Sequence, residues 1–311
     1  MLLDIVRFNV RAKDYLHSDM SLGQCLADMG MSAWFQRYYL LAVGASIWST
    51  PVMDMLHFPA QAFIRFFMNH GLLTINHQPQ WYTIQGGSKV YVERVLDYCK
   101  GYRTELRLRC GVVKAERQIK EGRPHIMLTD TRGQKAAYDQ VVFACHSDQV
   151  LSILQQPTPT EQEIIGAIRY QSNHMILHSD LAFMPHRRNA WSSWVYLSEA
   201  APEHTEDGQN LVSLSYWMNN LQPLATKKPV LVTLNPGREP DAACIYDRYS
   251  FRHPVFDQQA IAAQKQLSQI QGKQGIWYAG AWQRYGFHED GLLSAIHIAE
   301  AMHITAPWIK K

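Results

Sequence analysis

"GIWYAGAWQRYGFHEDGLLSAIHIAEAM", residues 275–302, passes from a short apolar strand through glycine, an aromatic loop and two acids to a second glycine and a helix. The spacing reads as a strand closing at Gly280, a turn, and a helix starting near Gly291. Doubly wound sheets hold their ligands at such corners, outside strand ends and against helix N-termini. Bare amides and the helix dipole there favour negative charge, by about 0.3–1 kcal/mol at exposed positions. An electron-rich guest is therefore expected in front of the amides of Gly291 and Leu292. Glu289 and Asp290 lie just upstream and would repel a phosphate, so Asp290 reads as the N-cap and Glu289 as an acceptor for hydroxyls. An ordinary strand-to-helix connection with a capped helix has the same spacing, and on this stretch alone both readings stand.

The whole chain narrows the setting. Its 311 residues, 47% hydrophobic and 18% charged, are enough for a large core. Single cores stop growing near about 250–300 residues, so two lobes are expected. The formal charge is only +3 and the basic residues form no run, which leaves no electrostatic footprint for nucleic acid. The longest apolar run, Tyr38 to Trp48, is far shorter than the ~20 residues of a membrane-spanning helix. No transmembrane segment is expected. "MLLDIVRFNVRAKDYL" at the N-terminus reads as an amphipathic helix, since Asp4, Arg7 and Arg11 interrupt what a signal peptide would keep apolar. Cys25, Cys99, Cys110, Cys145 and Cys244 are odd in number and form no CxxC, so neither a zinc site nor a disulfide framework is read from them. A cytoplasmic location fits that cysteine usage.

Four stretches follow along the chain. Residues 1–80 have helical period, with Ser21 as an N-cap before "LGQCLADMG" and Gly71 at the C′ position after "FPAQAFIRFFMNH". Residues 81–150 hold the Gly-Gly turn at Gly86 and Gly87, a helix, and then "ELRLRCGVVKAERQ", "PHIMLTDTRGQ" and "AAYDQVVFAC", which read as a small antiparallel meander delivering a buried strand. Residues 151–265 carry "NHMILHSD", "AWSSWVYLS", "NLVSLSYWMN" and "PVLVTLNP", a second and mostly antiparallel sheet in which Trp217 and Asn219 read as core. Residues 266–311 form the closing strand–turn–helix unit.

These residues carry a family resemblance. The stretch from "IWYAG" to "AEAM" resembles the C-terminal flavin-binding segment of the FAD-dependent amine oxidase superfamily. "IWSTP" (47–51), "FFMNHGLL" (66–73), "PQWYTIQGGSKVYV" (79–92), "ACHSDQ" (144–149), "YDRYSFRHPVFD" (246–257) and "YGFHEDG" (285–291) are similar to a bacterial subgroup of NAD/FAD-binding flavoproteins within it. The resemblance implies a mixed α/β fold, with a Rossmann-like FAD-binding lobe (81–150 and 266–311) and a substrate lobe (the helices of 1–80 and the sheet of 151–265). It implies FAD as cofactor. Gly291 and Leu292 would face the pyrimidine edge of the flavin, and Gly280, with Ala281 beside it, would let backbone approach the ring without a Cβ. Val113 would lie against the adenine, Ala144 near the dinucleotide, and Gly86 and Gly87 close to the flavin.

One departure is large: no GxGxxG occurs anywhere in the sequence. The βαβ unit that seats the pyrophosphate in this superfamily is expected to be missing. The FAD-binding lobe is then incomplete, and the chain is expected to bind FAD weakly or not at all by itself. A split gene with a separately encoded N-terminal FAD-binding fragment, a misassigned start, and a remnant that has abandoned FAD all agree with that pattern. The resemblance implies hydride transfer from a substrate to flavin, an amine being the family default. The alternative is a desaturase or oxidase of a lipid acyl or isoprenoid chain, with the Phe- and Met-rich helices of residues 31–73 lining a tunnel. Trp81, Trp282, Tyr285 and His288 are the candidate substrate-facing groups, the aromatics as a cage for an amine and His288 as a proton acceptor. No metal site is read. His186 and His253 stand outside any triad or ligand spacing, which disfavours hydrolysis.

Overall fold

The computed structural model describes residues 1–48, 53–74, 80–120, 122–197, 213–306 and 308. Parts of "IWSTP" and "AWSSWVYLS", the start of "NLVSLSYWMN" and the first residue of "PQWYTIQGGSKVYV" lie outside them. In chain order the helices are α1 (Leu2–Arg11), α2 (Leu22–Asp28), α3 (Ala33–Phe35), α4 (Leu41–Trp48), α5 (Ala60–Asn69), α6 (Ser88–Lys100), α7 (Ser147–Ile153), α8 (Pro159–Gly166), α9 (Met218–Leu221), α10 (Gln258–Gln264) and α11 (His288–Ala301). The strands are β1 (Val112–Lys120), β2 (Arg123–Asp130), β3 (Lys135–Tyr138), β4 (Val141–Phe143), β5 (Tyr170–His178), β6 (Trp194–Leu197), β7 (Ser213–Trp217), β8 (Leu231–Leu234), β9 (Ile245–Pro254) and β10 (Ile276–Tyr278). This is the mixed helix-and-sheet class expected. The chain forms two compact units, Met1–Glu105 with Gln171–His253 and Leu106–Tyr170 with Pro254–Lys311. Residues 81–105 thus go with the first unit, and 151–170 and 254–265 with the second.

In the first unit, Ser21 caps α2 as the sequence indicates: its Oγ accepts from Gln24 N at 3.3 Å, and Gln24 Oε1 accepts from Ser21 N at 2.9 Å. A π-turn over Gln36–Leu40 joins α3 to α4. Gly71, at φ +67°, follows the cap of α5 in the C′ position. Among its described residues the Phe- and Met-rich stretch packs on itself. Phe63 and Phe67 stack at 4.2 Å, Trp48 lies 4.8 Å from both Phe58 and Phe66, and Met55 is fully buried beside them. Large flat rings pack against one another at such distances.

The five-stranded sheet of this unit runs β6-β7-β8-β5-β9, with β6/β7, β7/β8 and β5/β8 antiparallel. Trp217 ends β7, and Asn219 in α9 donates to the Thr226 and Lys228 carbonyls at 3.1 and 2.9 Å. On one face of the sheet His178, Thr233 and Ser215 form a fully buried polar chain. Strand β9 carries Asp247, Arg248 and Arg252 among its aromatics and buries almost nothing, so no apolar alternation marks it in the sequence. Helix α6 has no buried residue.

The second unit begins with the expected meander, β1-β2-β3, paired antiparallel throughout. It delivers β4, which pairs parallel to β10 with Val141 opposite Ile276, Val142 opposite Trp277 and Phe143 opposite Tyr278. Ile276, Tyr278, Val141 and Phe143 share one face and enter a core with Ile126, Ile164, Ile165 and Ile270. Glu161, 1% exposed at the start of α8, fixes that core. It pairs with Arg117 of β1, accepts the Tyr278 hydroxyl at 2.6 Å and accepts from Thr158 N at 2.8 Å. The other face of the parallel pair is left open, with Val142 45% exposed and Trp277 half-buried. Among the described residues no helix is long and apolar enough to cross a membrane.

Candidate functional site

The corner beyond the carboxyl ends of β4 and β10 is where a parallel sheet holds ligands. The two strands end on a stacked core pair, Phe143 and Tyr278, ring centroids 6.0 Å apart. From β4 the chain passes through Ala144, Cys145 and His146 into α7, and His146 stacks on Tyr170 at 4.5 Å. From β10 it passes through Ala279 and Gly280 into a 3-10 turn, Ala281–Gln283, and then into α11.

Three features of the corner differ from the expectation. The first is the helix start. α11 begins at His288, with Phe287 as N-cap, so Gly291 lies one turn inside it and its amide donates to Phe287 O at 3.2 Å. Asp290 is not the cap. It sits 5% exposed in the first turn, where its carboxylate accepts from Tyr285 N at 3.2 Å and Phe287 N at 3.1 Å. Arg284 stands 3.6 Å from its other oxygen. The sequence signal for a cap is Ser, Thr, Asp or Asn just before the helix. Here the chain instead places an acid in the first turn, reaching back over two loop amides, so the positive helix end already has its anion.

The second is Gly280. Its φ is +153°, and a Cβ there would lie 2.5 Å from Trp282 Cδ1 and nearer still to Nε1. The close approach that requires glycine is to the Trp282 indole of the same turn. Its amide donates to Ser294 Oγ at 2.9 Å, and that hydroxyl donates to Gly291 O at 2.6 Å. The third is Trp282 itself. Expected to face a substrate, it is 4% exposed, belongs to the unit's core, and donates its N–H to Cys145 O at 3.3 Å.

The remaining candidates divide between the units. Trp81, 69% exposed, lies in the first with Gly86 and Gly87, which turn at φ +84° and +80° into α6. In the second, Val113 in β1 is half exposed and Ala144 is exposed. Ala281 packs under Gly291, where an added Cβ would meet its N at 3.7 Å. Tyr285 carries the Arg284 guanidinium 5.3 Å from its ring centre. His288, Glu289 and Leu292 open the exposed side of α11. Sequence reasoning missed Ser294, Cys145 and Tyr170, which tie the corner together. Ser294 is the serine of "GLLSA", four residues before Ile298 on the buried side of α11, and that spacing was a usable signal.

A cavity of about 510 Å3 lies on another side of α11, lined by Gln264, Gln271, Trp277, Gln283, Arg284 and His297 among others. Gln271 is spent on Tyr278, donating to its O at 2.7 Å and accepting from its N at 2.9 Å. Among the described residues no cluster of His, Cys, Asp or Glu could hold a metal ion.

No protein-family model matches the sequence, and no curated protein matches it. Solved structures do match the fold. A CLA-producing fatty acid isomerase from P. acnes superposes with a TM-score of 0.64 at 10% identity, over 97% of this chain and 74% of that one. Putrescine oxidase, solved bound to putrescine, gives 0.61 at 12% identity over 97% and 75%. Reduced UDP-galactopyranose mutase gives 0.60 at 10% over 97% and 72%. The chain therefore has the amine-oxidase-like fold. The flavin that this fold implies does not fit the corner as it stands. A planar ring over Gly280 would need the space filled by the Trp282 indole, and the Gly291 amide is already bonded within the helix.

Proposed function

We propose that this chain supplies the substrate lobe and the C-terminal strand–helix corner of an FAD-dependent oxidoreductase acting on an amine. It gains FAD only when a βαβ nucleotide-binding segment joins the parallel pair β4/β10. The observation that carries the reading is the half-covered pair. Parallel strands are found almost only with both faces covered. Here one face holds Ile276, Tyr278, Val141 and Phe143 in the core, while on the other Val142 is exposed and Trp277 half-buried. A strand and helix laid on that side would cover the apolar face and an open edge together. Such a unit would also bring the backbone amides that seat a pyrophosphate, which this chain lacks. The likeness to putrescine oxidase supports the amine as substrate class. The lipid alternative keeps its likeness to the fatty acid isomerase. The cysteines of the chain are free thiols, which suits a reducing cytoplasm.

The test is to express the chain with and without a GxGxxG-bearing βαβ segment, encoded ahead of it or on a separate gene, and to record visible absorbance. Bound-flavin bands are expected in the combined protein alone, with anaerobic bleaching by a polyamine and none by a fatty acid. Two colourless preparations would overturn the flavin reading in favour of a remnant, and bleaching by the fatty acid alone would overturn the amine.

A further inference from the structure

We propose that helix α6 is a docking surface for a second copy of this chain, with two α6 helices packing antiparallel across a two-fold axis. The inference stands on the helix itself and does not depend on the flavin reading above.

α6 runs for 13 residues, Ser88–Lys100, and buries none of them. Isolated helices shorter than about 12–15 residues are marginal in water, and in proteins most helical stability comes from packing an amphipathic face. Here that face exists and is uncovered. Tyr91, Val95, Tyr98 and Tyr102 recur at helical spacing in a single stripe, and each is between 39% and 68% exposed. Tyr102 lies in the turn after the helix and keeps the line: its ring centre is 5.0 Å from that of Tyr98, and the two hydroxyls are hydrogen-bonded at 2.9 Å. On the opposite side Lys89 meets Glu93 at 3.6 Å and Lys100 meets Asp97 at 2.6 Å, so those charges are matched within the helix. Covering the stripe therefore strands no ion, and the Tyr98 and Tyr102 hydroxyls already have each other.

The occupant that fits is the same stripe on another molecule. Most soluble oligomers are homo-oligomers, and a two-fold pairs one patch with itself. In an antiparallel pair with coiled-coil layers, Val95 lies against the partner's Tyr98 and Tyr91 against the partner's Tyr102. A small side chain thus faces a large one at the centre. Arg94, the charge beside the stripe, falls opposite the partner's Cys99, so no like charges are brought together. The area is also of the right size. Trp81 and Tyr82, 69% and 89% exposed in the segment entering α6, add to the three stripe tyrosines. At about 150–250 Å2 for a whole aromatic side chain, the exposed parts of the five come to roughly 600 Å2, near the ~800 Å2 that a standard interface buries on each partner. The nucleotide-binding segment proposed above is the rival occupant, but the open strands that require it, β4 and β10, belong to the second unit and α6 to the first.

The experiment reads the mass of the purified chain by size-exclusion chromatography with light scattering, reductant present, up to about 100 µM, above the micromolar limit of standard interfaces. A mass twice the 35.8 kDa of the chain is expected. Val95→Glu puts an unpaired charge at the centre of the pair and should weaken the dimer about a hundredfold or more, while Val95→Leu leaves it intact. Hydrogen exchange should follow: the α6 amides are protected in the dimer and lose protection in Val95→Glu, with β7 and β8 unchanged. Circular dichroism confirms that Val95→Glu is folded. Should it not fold, Tyr98→Ala takes its place, with a loss of about tenfold or more. A parent that stays monomeric throughout overturns the proposal, and so does a dimer that these variants leave intact. The rival is tested by adding a GxGxxG-bearing βαβ segment. Should that segment dissolve the dimer and protect the α6 amides in a one-to-one complex, the segment is the occupant and the proposal falls. None of these readouts uses flavin absorbance, so failure here leaves the flavin reading to its own test.

Discussion

Glu161 illustrates how one buried carboxylate organises the second unit. Burial pushes its pKa upward. The Tyr278 hydroxyl, the Thr158 amide and the Arg117 guanidinium more than offset this and hold it below the ordinary 4.5. Tyr278, in turn, is pushed well above the usual tyrosine value, first by burial and then by the carboxylate, and stays protonated as the donor. A depressed carboxylate contributes its full stability above about pH 4.5 and loses it as pH falls through the folded value. Glu161→Gln leaves Arg117 with a neutral partner, a change that costs about 3 kcal/mol in comparable buried pairs. Urea unfolding at pH 7 should show that loss. At pH 3.5 the gap between parent and variant should narrow, because the unfolded parent then takes up a proton that the folded carboxylate resists. An equal gap at both pH values would mean that packing around the side chain, and not its charge, is what matters.

At the scale of elements, α11 is held at its start by an acid inside its first turn. Asp290 accepts from Tyr285 N and Phe287 N, so Asp290→Ala strands two loop amides and removes the dipole's counter-charge. A loss of about 1–2 kcal/mol is expected, with Asp290→Asn retaining part of it as a neutral acceptor. Thermal melting of the two variants against the parent checks this, and an unchanged midpoint in Asp290→Ala would contradict it. The same residue shows what sequence reasoning can and cannot reach. Ser21 before α2 and Gly71 after α5 were legible because their signals are local and chemical. The meander β1-β2-β3 was legible from its turn residues and alternation. The start of α11 was not, because Phe287 cannot cap and the compensating bond reaches back from the helix to the loop. Gly280 was flagged correctly as a position needing glycine, but the neighbour responsible was Trp282, two residues away, and no spacing rule identifies it. Strand β9 was hidden because charged and aromatic residues occupy both of its faces.

At the scale of the whole molecule, the chain crosses between its units at residues 105/106, 170/171 and 253/254. Composition changes little at these points, so the interleaving left no trace in the sequence. It places two of the acid-sensitive groups, His178 and Glu161, in different units, and they act at different pH. In the first unit, His178 accepts from Asp180 N at 3.1 Å through Nδ1, so its proton sits on Nε2 and is donated to Thr233 Oγ1 at 2.7 Å. Thr233 and Ser215 continue the chain at 2.6 Å. Burial lowers the pKa of His178 below the ordinary 6.5, against the smaller opposing pull of Asp180. The unfolded chain therefore binds a proton that the folded unit refuses, and stability is lost as pH falls from about 6.5 toward the folded value. Glu161 in the second unit is unaffected until about pH 4.5. Hydrogen exchange at pH 7.5 and 5.5, corrected for intrinsic rates, should show protection falling in β5, β7 and β8. The amides of α8, β4 and β10 should hold. His178→Gln should remove the difference between the two units, since a neutral side chain of similar reach has no proton to refuse. Equal losses in both units of the parent would show that acid stability in this fold is not set by the two buried groups.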